Sequence, residues 1–369
     1  IYPILRALVR PHRRVDAPPR RILVTELWHI GDVVIALPFI AALRERFPGA
    51  SITLLTKAHA HQVLAGCPLV DEVISHDFPW SYEDVEARAR VWRIRELRAA
   101  VAVIRRLRRE RFDLGFDCSR DGRNHLLLFL GGSARRVGFD FGGGARVLTD
   151  PVAAGSLDRH RSDDWFRLLE PFGEATSKPV VRLPVSPGER EWALEFLREQ
   201  GIGSGDIVVA VHPGGSSHLK RWSLESFLAL AEIAALEFHA RVLWIVDPAG
   251  TGANADLPSG AVRVRPTLRQ LFALLERSSM LACNDGGPMH LAAAVGTPTF
   301  AIYSWGKPEW WQPSGPTRHA SVLRTDIACR PCSGHCIFAE PICLTGLGID
   351  AVTPRFRSAL GVALGEVRA

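Results

Sequence analysis

The sequence predicts an α/β protein of two Rossmann-like, doubly wound domains, and three observations lead to that class. Short apolar runs such as Arg21–Thr25, Ser51–Thr56 and Thr299–Tyr303 alternate with longer helical stretches, the pattern of parallel strands covered on both faces. The alternation pauses at 174–185, where Lys178-Pro179 and Leu183-Pro184 read as a linker, and restarts with a strand at 207–212. With 369 residues, 47% of them hydrophobic, the chain can bury two separate cores. The expected divisions are a basic extension over 1–20, a first domain over 21–175, a second over 176–352 and a terminal helix over 353–369 that can pack back on the first domain.

Taken in order, residues 1–15 set Ile4, Leu5, Leu8 and Val9 among Arg6, Arg10, Arg13 and Arg14, a pattern suited to an anionic membrane surface. A frayed basic extension is the equal alternative, because Pro3 and Pro11 cut a helix short. The strand Arg21–Thr25 leads through a loop into a helix at 32–47, followed by strands at Ser51–Thr56 and 72–76 with a short helix at 58–65 between them. An Arg-rich helical stretch at 83–110 precedes a strand ending at Asp117, and a further helix is expected at 159–173. The second half reads as a helix at 189–200, strands at 207–212 and 241–246, and the helix Leu268–Glu276. An apolar strand end near Asn284, a short Ala-rich helix, the strand Thr299–Tyr303 and an aromatic loop at 305–311 follow.

Bulk composition removes several function classes. The net charge of +6 comes largely from arginine, since Lys57, Lys178, Lys220 and Lys307 are the only lysines. Such a surface suits nucleic acid, anionic lipid or a phosphorylated glycolipid; no nucleic-acid recognition module is legible, so the lipid reading leads and no nucleic-acid partner is expected. The longest apolar candidate for a membrane span, 33–43, contains Pro38 and stops at Arg44, so the chain is not expected to cross a bilayer. The first residues lack the apolar core and cleavage site of a secretory signal, which points to a reducing, cytoplasmic setting with peripheral contact on the inner face of the membrane. Cys67, Cys118 and Cys283 then read as small core residues. Gly142-Gly143-Gly144 lacks the Lys-Ser/Thr of a P-loop, and no Gly-x-Gly-x-x-Gly opens the first helix, which weighs against a dinucleotide-dependent dehydrogenase.

The chemistry concentrates in three stretches. From Leu281 to Pro298 an apolar strand end meets Asp285, the pair Gly286-Gly287, Pro288 at a helix start and an Ala-rich helix closed by Gly296-Thr297-Pro298. Paired glycines let backbone N–H groups approach an anion, the helix dipole adds positive potential, and Asp285 can accept from sugar hydroxyls, the outline of a nucleotide-sugar diphosphate site. An ordinary strand–turn–helix is the alternative. In the second stretch Pro213-Gly214-Gly215-Ser216-Ser217 makes a hydroxyl- and glycine-rich turn followed by Lys220, a flexible point charge suited to a diphosphate. In the third, Asp32 follows the carboxyl end of the first strand, where α/β sheets collect ligands, although capping a helix is the commoner use of such an aspartate.

These residues carry a resemblance. Asp285 to Pro298, Ile30-Gly31-Asp32-Val33-Val34 and His212 to Trp222 resemble, in the right order, the three motifs of glycosyltransferase family 9, the bacterial ADP-heptose:lipopolysaccharide heptosyltransferases. The resemblance implies a glycosyltransferase-B architecture, two Rossmann-like domains facing across a cleft with the acceptor half first. It implies inverting, metal-independent transfer with no cofactor besides the nucleotide-sugar donor, ADP-heptose by default, to a lipopolysaccharide-core or related glycan. Asp32 matches the family's general base. Lys220, Gly215, Ser216, Ser217 and the run Asp285, Gly286, Gly287, Pro288, Met289, His290 match its donor site. Lys57, Arg120 and Arg123 become candidate acceptor clamps, near the family-like segments 117–123 and 135–139.

Two departures accompany the match. Gly286 stands where the family usually has Ser or Thr, which removes one hydroxyl, and Asp247 to Gly252 replaces a turn whose acidic residue holds the ribose, leaving Asp247 or Asp256 as substitutes. Cys329, Cys332, Cys336 and Cys343 resemble the family's cysteine cluster; four thiols at short spacing could hold zinc, but the spacing is not that of a paired zinc knuckle, and reduced or disulfide-linked structural thiols are the preferred reading, with no metal expected in catalysis. Other functions stay open: a protein of the same fold that binds or senses a nucleotide sugar without transfer, a nucleotide-sugar epimerase or hydrolase, which would need further acid/base carboxylates that the sequence does not place, and a transferase with a different donor.

Overall fold

Each half of the chain folds into a six-stranded, wholly parallel sheet flanked by helices. The computed structural model describes residues 17–81, 94–141, 143–155, 158–173, 178–313, 317–330, 332, 334 and 336–365. Outside them lie most of the expected basic extension, the front of the Arg-rich helix at 83–93, Gly142, linker positions 174–177 and the last four residues. Contacts divide the chain into the units Ile1–Val181 and Arg182–Ala369.

The first unit contains β1 (Arg21–Thr25), α1 (Ile30–Arg46), β2 (Ser51–Thr56), β3 (Glu72–Ser75), α2 (Ile94–Glu110) and β4 (Leu114–Asp117). It continues through α3 (Gly122–Leu130), β5 (Arg135–Asp140), β6 (Asp150–Ala153) and α4 (Arg161–Phe166). The strand order is β3-β2-β1-β4-β5-β6, so β1 lies between β2 and β4, with Val24 opposite both Leu54 and Phe116. Ile22, Leu23 and Val24 have no exposed surface, which explains the unbroken apolar run in their sequence. Helix α1 is apolar nearly all round because it too is buried, with Phe39 edge-on to Phe116 at 5.4 Å. It starts at Ile30, two residues before the expected 32, because Asp32 sits in its first turn and reaches back: Oδ2 accepts the His29 N–H at 2.9 Å.

The second unit contains α5 (Pro187–Glu199), β7 (Val208–His212), α6 (Leu224–Glu237), β8 (Arg241–Ile245), β9 (Val262–Val264) and α7 (Leu268–Glu276). After β10 (Met280–Asn284) come α8 (Gly287–Val295), β11 (Thr299–Tyr303), α9 (Pro308–Trp311), β12 (His319–Leu323), α10 (Ile342–Thr345) and α11 (Ile349–Leu364). The order is β12-β11-β10-β7-β8-β9, again reversing at the middle of the sheet. Ser186 and Glu189 form a reciprocal capping box at α5, and Thr267 and Gln270 another at α7, each of the kind that contributes about 1 kcal/mol. The terminal helix begins at Ile349, four residues ahead of the expected 353, and packs on β12 and α6 of its own unit, with Phe356 edge-on to Phe300 at 5.3 Å. Among the described residues no helix is long and apolar enough to cross a membrane.

Candidate active site

Open parallel sheets bind ligands beyond the carboxyl ends of their strands, at the point where strand order reverses. That point lies between β1 and β4 in the first sheet and between β7 and β10 in the second. The predicted motifs fall at both.

In the second unit, β7 ends at His212 and enters the 213–217 turn, while β10 ends at Asn284 and runs through Asp285 and Gly286 into α8. Asn284 ties the two loops together: its Oδ1 accepts the Trp222 N–H at 3.0 Å, and its Nδ2 donates to the carbonyls of Pro213 and Gly214 at 2.9 and 3.0 Å. Sequence reasoning passed over Asn284, although a polar residue closing an otherwise apolar strand was a usable signal. Gly214 is required by space, since a Cβ there would lie 2.4 Å from Asp247 Oδ2 and 2.8 Å from His212 Cε1. Ser217 Oγ accepts the Leu219 N–H and starts the 3-10 turn His218–Lys220. That turn sets Lys220 Nζ 3.7 Å from Asp285 Oδ2 and 4.8 Å from the centre of the Trp305 ring. Two predicted residues remote in sequence thus meet.

Helix α8 has Gly286 at its N-cap and no side-chain acceptor there. Helical geometry leaves the N–H groups of Gly287 and Met289 without intrahelical carbonyls, so this end presents backbone donors and positive potential. The Met289 side chain points elsewhere: it is buried, and its Sδ accepts the Tyr303 hydroxyl at 3.4 Å; His290 is buried as well. Gly287 and Met289 therefore offer main-chain N–H groups. Gly215 uses its carbonyl to accept from Arg221 Nε at 3.0 Å, and Ser216 is exposed. Asp247 accepts from the Thr251 N–H and hydroxyl at 2.8 and 2.9 Å. Partial burial works against its charge, but the Thr251 bonds, His212 and Arg221 hold it below the usual carboxylate range.

The first unit assembles a different set. Asp32 is half-buried in the first turn of α1, facing the field of Arg161 on α4. Behind it, Glu26 is 1% exposed and Asp117 is fully enclosed. Asp117 Oδ1 collects the Thr25 hydroxyl, the Ser119 N–H and hydroxyl and the Asn124 amide, and its Oδ2 lies 3.0 Å from His125 Nε2. A Cβ on Gly138 would come within 2.7 Å of His125 Nε2, so the imidazole is sealed by backbone. Glu26 and His125 were not predicted, and Asp117 was read only as the head of a family-like segment; the three lie on separate elements, and nothing in their spacing links them. Lys57, a candidate clamp, is only 5% exposed and lies within electrostatic reach of Glu26. Arg120 is engaged by Asp164 at 2.7 Å and Arg123 by Asp121 at 2.6 Å, so each already has a carboxylate partner within its unit.

The four clustered cysteines have free thiols and line one pocket with Leu219 and Trp305, beside the Lys220 turn. Among the described residues no three His, Cys, Asp or Glu side chains are grouped to hold a metal. Cys67, Cys118 and Cys283 are buried, and burial pushes each thiol up from its ordinary range.

Comparison with known proteins bears on the fold and the family. The lipopolysaccharide core heptosyltransferase OpsX of Haemophilus influenzae is 21% identical over 306 residues, covering 79% of this chain and 80% of that protein. A glycosyltransferase family 9 structure from Veillonella parvula superposes with a TM-score of 0.77 at 21% identity, covering 92% of this chain and 97% of its own. The Escherichia coli ADP-heptose lipopolysaccharide heptosyltransferase II gives 0.71 at 18% identity, covering 94% and 99%. The expected α/β class with two Rossmann-like halves holds, and residues 100–340 match the profile of glycosyltransferase family 9 (heptosyltransferase), so this chain belongs to that family and is a glycosyltransferase.

Proposed function

We propose that the chain transfers a heptose from ADP-heptose to a lipopolysaccharide-core or related glycan, with inversion and without a metal. The observation that carries this reading is the meeting of Lys220, Asp285 and the uncapped start of α8 at the switch point of the second sheet. A cation beside backbone N–H donors suits a diphosphate. Asp285 accepts from a sugar or ribose hydroxyl when the donor is bound. In the first unit, Asp32 takes the proton of the acceptor hydroxyl as its oxygen forms the new bond to the anomeric carbon. The bond to the diphosphate breaks on the opposite side, and ADP leaves with its new charge stabilised by Lys220 and the α8 amides. The ADP-heptose named for the Escherichia coli relative supports the donor assignment. The arginine-rich surface and the lipid-linked nature of the glycan support peripheral contact with an anionic membrane on its cytoplasmic face.

The test is thermal stabilisation by ADP, UDP, GDP and CDP, with Lys220→Ala alongside. Selective stabilisation by ADP that the variant loses, together with transfer from ADP-heptose, is expected. A preference for another nucleotide would change the donor, and binding without turnover would replace transfer by sensing.

A further inference from the structure

Glu26 continues the β1 ladder by one bond, its N–H reaching the Leu55 carbonyl at 3.0 Å, so its backbone is fixed. Its side chain turns inward and Oε1 accepts the Trp28 N–H at 3.1 Å. One residue further on, the His29 N–H is taken by Asp32 Oδ2 at 2.9 Å. Consecutive amides of the short 26–29 loop are thus gripped by two carboxyls, Glu26 at its start and Asp32 in the first turn of α1. The same enclosure brings Asp117 and Cys118 from the β4 end, Lys57 from the end of β2 and Asp32 from α1 into electrostatic reach of Glu26, while Arg161 on α4 faces Asp32.

We propose that Glu26 is a positioning residue for Asp32, a buried carboxyl that anchors from behind the loop leading into α1 and adds no charge beside the base. This rests on the reading of Asp32 as base. Two neighbouring carboxyls in unequal surroundings divide the roles of acid and base between them, and titrate as a pair. Here the inequality is one of burial. Glu26 is 1% exposed beside two other carboxylates with one lysine to offset them, whereas Asp32 is half-buried at a helix N-terminus. Burial first, then Asp32, pushes the Glu26 carboxyl well above its ordinary range, against the opposing Trp28 N–H and Lys57. A second negative charge beside Asp32 would make it harder to ionise at working pH. Keeping Glu26 neutral avoids this, and its hydrogen bond to Trp28 holds the loop that orients the base.

The experiment pairs spectroscopy with kinetics. Infrared difference spectra at neutral pH should show a protonated-carboxyl band in the wild type that disappears in Glu26→Gln. Glu26→Ala should lower kcat roughly tenfold to a hundredfold, the scale of a mispositioned catalytic group, with nucleotide affinity retained. Glu26→Gln, neutral and able to accept from Trp28, should recover most of that loss. Absence of the band, a Gln variant as inactive as Asp32→Asn, or an Ala variant with wild-type kcat would each overturn the proposal. If Glu26→Ala does not fold, the band and the Gln variant decide. Wild-type rates in Asp32→Asn would instead remove the base assignment, with the Glu26 band still present.

Discussion

At the switch point of the second sheet the groups proposed to bind the donor are backbone amides, one lysine and Asp285. At that of the first stand carboxyls, Glu26, Asp32 and Asp117, with Lys57 and His125 against them. The second arrangement is built from loop conformation, with Asn284 and Gly214 fixing where main chain runs. The first is built from burial, with enclosure deciding which carboxyl carries charge. Anion binding tolerates partial exposure, and Lys220 is 22% exposed; control of a proton requires unequal solvation, and Glu26 is 1% exposed against a half-buried Asp32.

The sharpest way to separate the two is Asp32→Asn. The amide keeps the shape of the carboxylate, and its oxygen can still accept the His29 N–H, but it cannot take a proton. Turnover should fall by about 10²- to 10⁴-fold, the usual contribution of a positioned base. Nucleotide affinity measured by calorimetry should not change, because the proposed donor site lies in the other unit. A loss of ADP binding in this variant would break the division of labour.

Asn284→Ala tests the other region. Removing the amide leaves the Trp222 N–H and two buried carbonyls without their bonds, a cost of about 1–3 kcal/mol, seen as a lower denaturation midpoint. The Lys220 turn would also lose its tie to β10, so nucleotide affinity should weaken in step. Stability lost with affinity retained would show that Asn284 only packs.

The two regions should also respond to pH in opposite directions. A carboxyl held above its unfolded value, as Glu26 is, contributes stability that is complete below about pH 4 and is lost as pH rises through its folded value. His212 is pushed down by burial, with Asp247 opposing, so its contribution is complete above about pH 6.5 and is lost as pH falls. Melting temperature followed across pH should flatten on the alkaline side in Glu26→Gln and on the acid side in His212→Gln. Parallel curves for all three proteins would show that neither group is linked to folding.

Much of the fold was legible because buried parallel strands announce themselves: β1, β2, β11 and α7 lie at the expected residues. The edge strands β6, β9 and β12 were not read. Asp150–Ala153 contains a proline and Val262–Val264 is three residues long, so neither carries an apolar run. The donor motifs were readable for a related reason, since a glycine turn before a helix is a local signal. The roles of Glu26, Asp117, His125 and Asn284 were not, because each takes its meaning from partners on other elements. Even a predicted residue changed meaning on folding: Met289 belongs to the motif, yet its side chain serves the core and only its main chain faces α8's open end.

The smallest expected effect comes from Gly286, the point where the donor turn departs from its family. Its φ of 171° is extended backbone that any residue adopts, and a Cβ there would meet nothing closer than Pro288 Cδ at 3.9 Å. Gly286→Ser should therefore fold without strain. As the N-cap of α8 it can offer a side-chain oxygen to the first-turn N–H groups, a gain over glycine of a few tenths of a kcal/mol. That gain and the donor site draw on the same amides. If the hydroxyl caps the helix in the free protein, nucleotide must displace it and affinity will stay level or fall; if it turns to the phosphate, affinity will rise with little change in melting temperature. The family's usual Ser or Thr predicts the second outcome. A serine variant that is more stable but binds ADP no better would show that this glycine keeps the helix end open, so that main chain alone meets the diphosphate.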